Sequence, residues 1–196
     1  MEKEIFDFKE YEEIRLKNLI NSYKEFLEIT DHEELLIIAL RGHLYIEREV
    51  SNILKKVFKD NTYKSLTYAH KVELCNSVGL INKERIPPLR KINTHRNGYA
   101  HNLDYRITEK DFGDLLSTLS KESKTQFEKE LDGFYKLNSE KEKSLKDNYR
   151  ILLAAIWAEL RTENIFFYNH FELRARQILD DEALNIRALS KINDAL

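Results

Sequence analysis

Cysteine, proline and glycine are all scarce in this 196-residue chain, which has one, two and five of them respectively. A lone cysteine excludes an internal disulfide and any cysteine-based zinc cluster. The setting of Cys75, VELCNSVGL, is that of a buried apolar position, and nothing beside it in sequence marks a nucleophile. So few glycines and prolines cannot supply the turns of an all-β chain. No apolar run nears the ~20 residues of a membrane span, and the opening MEKEIFDF lacks a signal-peptide layout. The expectation is a soluble, cytoplasmic protein without a membrane partner. A net charge of −2 excludes the strongly basic class of nonspecific nucleic-acid binder.

What is present is helix-forming. Leu, Ile, Glu and Lys dominate, and 42% of the chain is hydrophobic, enough for a sizeable core. In about Lys3 to Leu27, Ile5, Phe8, Tyr11, Ile14, Leu16, Leu19, Ile20, Tyr23 and Phe26 recur at threes and fours, an amphipathic helix. Thr30 followed by Glu33 is a capping-box pattern, placing a second helix from about Asp31 to Phe58. That helix is apolar nearly all round from Leu35 to Ile46 and is expected at the centre. Leu36, Leu40, His43, Glu47, Val50 and Leu54 share one stripe of it. His43 and Glu47 are thus polar residues on an apolar stripe. They read either as a hydrogen-bonded core pair or as support for a site, where Glu47 would be a buried partner for an arginine on a neighbouring helix. Arg41, on another face, is expected at the surface.

Further helices are predicted from about Ser65 to Val78, ended by Gly79, and from about Pro88 to Tyr99, opened by the paired prolines. An extended LDYRIT follows. Thr108 and Asp111 then cap the helix DFGDLLSTLS, and a solvated helix occupies the Lys- and Glu-rich run from Lys121 to Asp147. A long last helix starts near Leu145, with Tyr149, Leu152, Ile156, Leu160, Phe167 and Phe171 facing inward, joined by Leu153, Trp157 and Ile165. Its aromatic run IFFYNHF, including His170, reads as core or dimer surface, and the residues from Asp181 as a weak helix or tail. No repeat, linker or composition break marks a second domain. The whole chain, 1–196, is expected to be one all-α, up-and-down helical bundle: a core of about 31–120, an additional N-terminal helix, and a long C-terminal helix of about 145–180.

The densest chemistry lies in LRKINTHRNGYAHN, Leu89 to Asn102, which puts Arg96, Asn97 and His101 within six residues around a glycine. Arginine holds a phosphate charge and histidine moves a proton near neutral pH, a minimum set for phosphodiester cleavage without a metal. Between Lys83 and Arg106, the cations Lys83, Arg85, Arg90, Lys91, Arg96 and Arg106 face only Glu84 and Asp104, a local balance of +4 that suits an anionic ligand or a short RNA. Asn97 and His101 are four apart and share a helix face. Arg96 and His101 are five apart, ~140° round an ideal helix, so a frayed or bent last turn at Gly98 would be needed to converge them. The alternative is that both simply satisfy carbonyls at a helix C-terminus. His95 reads as a surface residue, with contact to RNA a lesser alternative.

RNGYAH, within L-x-x-I-x-x-x-R-N-x-x-A-H, resembles the R-x4-6-H signature of the HEPN superfamily of helical nucleases. The resemblance covers roughly Glu33 to Leu119 and is specific at Leu89 to Asn102. It implies a HEPN-like four-helix core and a cofactor-free endoribonuclease whose two protomers pair their motif helices across one cleft. Arg96 would then stabilise the scissile phosphate, His101 act as general base or acid, and Asn97 position them. The ribose 2′-hydroxyl would attack, leaving a 2′,3′-cyclic phosphate and a 5′-hydroxyl, and DNA would resist. Many members act as toxins or in phage defence, so an antitoxin or other defence protein joins RNA and a second copy as an expected partner. A catalytically inactive HEPN-like module for dimerisation or partner binding is the competing expectation. RGHLYIEREV also resembles mannitol-operon repressors, a helical regulator, although no basic recognition helix is evident.

Overall fold

The computed structural model describes residues 8–32, 34–58, 62–165 and 167, with only the main chain described for 8–15. Seven α-helices and no strand occur among them: α1 (Phe8–Ile29), α2 (Leu35–Val57), α3 (Tyr68–Ser77), α4 (Ile86–His101), α5 (Glu109–Ser117), α6 (Lys121–Leu137) and α7 (residues 145–165). The protein is an all-α helical bundle. The chain divides into the unit Met1–Asn164, to which everything below refers, and the unit Ile165–Leu196. Most of IFFYNHF, including His170 and Phe171, and the residues from Asp181 lie outside the described residues. So do Ile5 and Glu33. No helix among the described residues is long and apolar enough to cross a membrane.

The most enclosed element is α7. Every residue from Ile151 to Trp157 is buried, with Tyr149 and Leu160 flanking them. The expected inward stripe is therefore correct at Tyr149, Leu152, Ile156 and Leu160, but burial here runs round the whole helix. It meets α2 at Gly42, where a β-carbon would lie 2.5 Å from Leu153 Cδ1. Glycine lets the two backbones approach at that level. The approach also corrects the expected stripe of α2. Of that stripe His43, Val50 and Leu54 are buried as expected, but Leu36, Leu40 and Glu47 are only half-buried, and Ile38, Gly42, Ile46, Glu49 and Ile53 are buried beside it. The core face is rotated by roughly a quarter turn towards Gly42, because that is where α7 can come closest.

α1 closes the other side. Phe26 stacks on Trp157 (centroids 5.2 Å apart) and meets Tyr45 edge-on at 5.4 Å, and the Tyr23 hydroxyl donates to Glu130 of α6 at 2.7 Å. Thr30 does not cap α2 as expected. It is buried, and its hydroxyl donates back to the Phe26 carbonyl at 2.7 Å, so it terminates α1. α2 begins after Glu34 with no side-chain cap.

α2, α3 and α4 pack on one another. α3 is capped by Thr67, which accepts from the His70 amide. It ends in a Schellman turn: Gly79 has φ +68°, its amide donates to Asn76 O, and the Leu80 amide donates to Cys75 O. Cys75 is buried, and its thiol pKa is pushed up to about 12 by burial, as a core cysteine's should be. The predicted Thr108–Asp111 capping box is present at α5.

Trp157 is 1% exposed and holds α1 and α2 against α7. Replacing it by alanine should cost about 3–5 kcal/mol in urea unfolding. Leu44→Ala, at an exposed position of α2, should stay within about 0.5 kcal/mol.

Candidate functional site

The site residues are carried by α4. Its first turn holds Pro87 and Pro88, where a missing N–H costs no hydrogen bond. Ile86, Pro88, Leu89, Ile92 and His95 are its buried residues. The helix runs unbroken through Gly98 to His101, and the Asn102 amide closes it on the Gly98 carbonyl. The last turn does not fray. Arg96 and His101 of one chain therefore project to different sides of the helix, ~140° apart, with Asn97 between them. Arg96 and His101 are exposed and Asn97 is half-buried. The Arg96 Nη1 donates to Asn97 Oδ1 at 3.1 Å. The guanidinium is thus held by its neighbour's side chain and not by main-chain carbonyls.

Gly98 has a different task from the hinge expected of it. A β-carbon there would lie 2.7–2.8 Å from three atoms of the Tyr105 ring. The loop after α4 folds back over the helix end, and Tyr105 seats on the bare glycine. Tyr99 holds the same loop. Its ring meets Tyr105 edge-on at 5.0 Å, and its hydroxyl accepts from the Ile107 amide at 3.3 Å. Asn102 turns the loop by accepting the Asp104 amide on its side chain.

His95 is not at the surface. It is 1% exposed, because it continues the Ile92 side of α4 that faces α7, and its Nδ1 lies 3.0 Å from the Tyr149 hydroxyl. Burial pushes its pKa down to about 4, with Lys91 acting the same way and Asp111 and Asp114 opposing. His95 is a neutral core residue with no route to RNA.

His43 lies near the side of α4 that carries Asn93 and Arg96, since both act on its ring. The His43 ring packs on Tyr68 of α3 at 4.4 Å and its Nδ1 is 4.0 Å from Glu47 Oε2. Burial lowers its pKa; Glu47 and Asn93 oppose this, and Arg96 and Lys71 reinforce it. Glu47 does not pair with Arg96. It accepts from Lys71 of α3 at 2.8 Å. Lys71 was not singled out from the sequence, although a signal existed: it lies with Tyr68, Val72 and Cys75 on the buried side of α3, a cation on an apolar stripe opposite an anion on another.

Three of the six cations in the positive window meet carboxylates brought from elsewhere. Arg85 lies between Glu159 (2.7 Å) and Glu163 (2.6 Å) of α7. Arg90 grips Glu73 through Nε and Nη2 at 2.7 and 2.8 Å, and Lys91 meets Asp114 at 3.2 Å. Arg96 and Arg106 have no carboxylate within ion-pair distance among the described residues. Nor do three or more His, Cys, Asp or Glu side chains cluster there as a metal site would need.

Compared with protein-family profiles, curated proteins and solved structures, the chain matches none of them.

Two outcomes follow from this arrangement. The unfolded His95 ring takes up its proton near pH 6.5 and the folded ring only near 4. Between those values the unfolded chain binds more protons, so stability falls as the pH falls, by on the order of 3 kcal/mol over the window. Urea unfolding at pH 7 and pH 4.5 should show this loss, and His95→Gln should lessen it. Gly98→Ala should unseat the Tyr105 ring at a cost of about 1–3 kcal/mol despite alanine's better helix propensity, with faster hydrogen exchange at the Ile107 amide.

Proposed function

We propose that the chain is a metal-independent endoribonuclease of HEPN-like type, acting as a homodimer. The observation that carries this reading is the division of labour within RNGYAH. Gly98 and Tyr99 are occupied with packing the following loop, while Arg96, Asn97 and His101 are left towards solvent. Arg96 holds the scissile phosphate, and Asn97, already bonded to it, sets the direction of the guanidinium. His101 takes the 2′-hydroxyl proton as the 2′ oxygen attacks phosphorus. The P–O5′ bond breaks, the 5′ oxygen is reprotonated by the imidazolium, and a 2′,3′-cyclic phosphate and 5′-hydroxyl remain.

The unbroken helix argues for two copies. One chain presents its arginine and histidine on different sides of α4, whereas α4 ends from two copies can bring one Arg96 to the other His101. The same separation favours the second reading, an inactive dimerisation or partner-binding module, if the two helices never meet. A role as a toxin or phage-defence effector in the cytoplasm, restrained by an antitoxin or other defence protein, extends the first reading. A helical regulator belongs with the second.

Incubation with RNA in chelator separates them. The parent should cleave, leaving 2′,3′-cyclic phosphate ends, and an all-DNA copy of the substrate should survive. Arg96→Ala or His101→Ala should slow cleavage by about 10²–10⁴-fold with the fold intact, since both residues are exposed. A parent that dimerises without cutting any RNA supports the module instead.

A further inference from the structure

Three features outside the trio were candidates for chemistry. In the Glu49–Arg161–Asn164 cluster between α2 and α7 the carboxylate is met from within (Asn164 Nδ2 to Glu49 Oε2 2.8 Å, Arg161 Nη1 to the same oxygen 3.4 Å), and Glu49 is 1% exposed, so the cluster serves the core. The exposed Leu16 and Ile20 of α1 have nothing on them to identify an occupant. The loop after α4 offers more.

Arg106 lies in that loop. It is exposed, yet its Nη1 donates to two main-chain carbonyls, Leu103 O at 2.9 Å and Tyr105 O at 2.7 Å. The loop is itself pinned to the last turns of α4 by Tyr105 on Gly98, by the Ile107 amide on Tyr99 and by the Asn102 turn. The guanidinium is therefore held beside the end of the motif helix, near enough for its charge to lower the Tyr99 hydroxyl pKa against the dominant effect of burial. Nε and Nη2 remain uncommitted. Arg85, Arg90 and Lys91 of the window meet carboxylates, whereas Arg96 and Arg106, five residues to either side of His101, have no carboxylate within ion-pair distance among the described residues. A pre-oriented, unpaired arginine loses little entropy on meeting a phosphate and can bind it through two N–H groups.

We infer that Arg106 is a phosphate-binding residue of the same site, gripping the RNA backbone at a nucleotide neighbouring the one cleaved. The inference rests on the ribonuclease reading and adds a binding residue outside the R-x4-H motif. It separates the two arginines by role: Arg96 acts on the reacting phosphate and Arg106 on the track that delivers it.

The test is equilibrium binding of a 2′-O-methyl RNA oligonucleotide, which cannot be cut, at several salt concentrations. The proteins are the parent, Arg106→Gln, Arg106→Lys and Arg90→Gln. Arg106→Gln keeps a donor for the carbonyls and removes the charge. It should weaken binding roughly three- to tenfold at low salt and flatten the log Kd against log salt slope by about 0.7, one phosphate contact on a single strand. Arg106→Lys and Arg90→Gln should both retain the parent slope, the latter because Glu73 already occupies the Arg90 guanidinium. A parent slope in Arg106→Gln, or equal losses in the Gln and Lys variants, overturns the assignment while leaving the nuclease reading intact. A parent that binds no RNA at any salt overturns both.

Discussion

The approach of α7 to α2 at Gly42 is the constraint from which the other packing follows. With no side chain at that position, Leu153 reaches the α2 backbone, and a helix buried on all sides from Ile151 to Trp157 can run through the middle of the unit. Trp157 then presents a surface for Phe26 and Tyr45, which brings α1 in. The same helix offers Glu159 and Glu163 to Arg85, so the start of α4 is tied to α7 before the motif is reached. Tyr149 receives His95 further along. α4 is thus held at two levels against one central helix, and its last turns stand clear of the core.

The buried or half-buried carboxylates of α2 each meet a partner, as burial demands. Glu49 is 1% exposed and is met by Asn164 and Arg161. Glu47 is met by Lys71. In the two buried histidines, His43 and His95, desolvation is the chief cause of a lowered pKa. None of these groups faces the solvent side of α4, so the interior chemistry stabilises the scaffold. Glu163 shows the cost of this arrangement: burial raises its carboxyl pKa while Arg85 pulls the other way. Arg85 therefore offsets a penalty as much as it adds a contact.

Much of this was legible in the chain and some was not, for reasons that can be named residue by residue. Thr108–Asp111, Gly79 and the paired prolines act within a few residues of themselves, so their effect on helix ends is written locally. Thr30 and Glu33 carry an equally good local pattern, but Thr30 is drawn back to the Phe26 carbonyl by burial. The α2 stripe was misplaced by about a quarter turn because apolar residues surround that helix, and only the partner helix decides which side is deepest. His95 looked like a surface residue for the same reason: its neighbours in sequence are polar, while its neighbour in space is Tyr149. The positive balance between Lys83 and Arg106 was counted correctly and still misleads, since Glu73, Asp114, Glu159 and Glu163 arrive from outside the window.

Helical class, the presence of a helix from about Pro88 bearing Arg96 and Asn97, and the core position of Cys75 were determined by the sequence alone, whereas the predicted end near Tyr99 fell two residues short of His101. Each depends on composition or on spacing along one helix, and such quantities do not change when helices pack. Tertiary structure alone decided which charges stay unpaired, that Glu47 answers Lys71 and not Arg96, and that Gly98 is a seat for Tyr105 within an unbroken helix. Those outcomes depend on distances between residues far apart in the chain, and Coulomb attraction and steric exclusion act on distance in space.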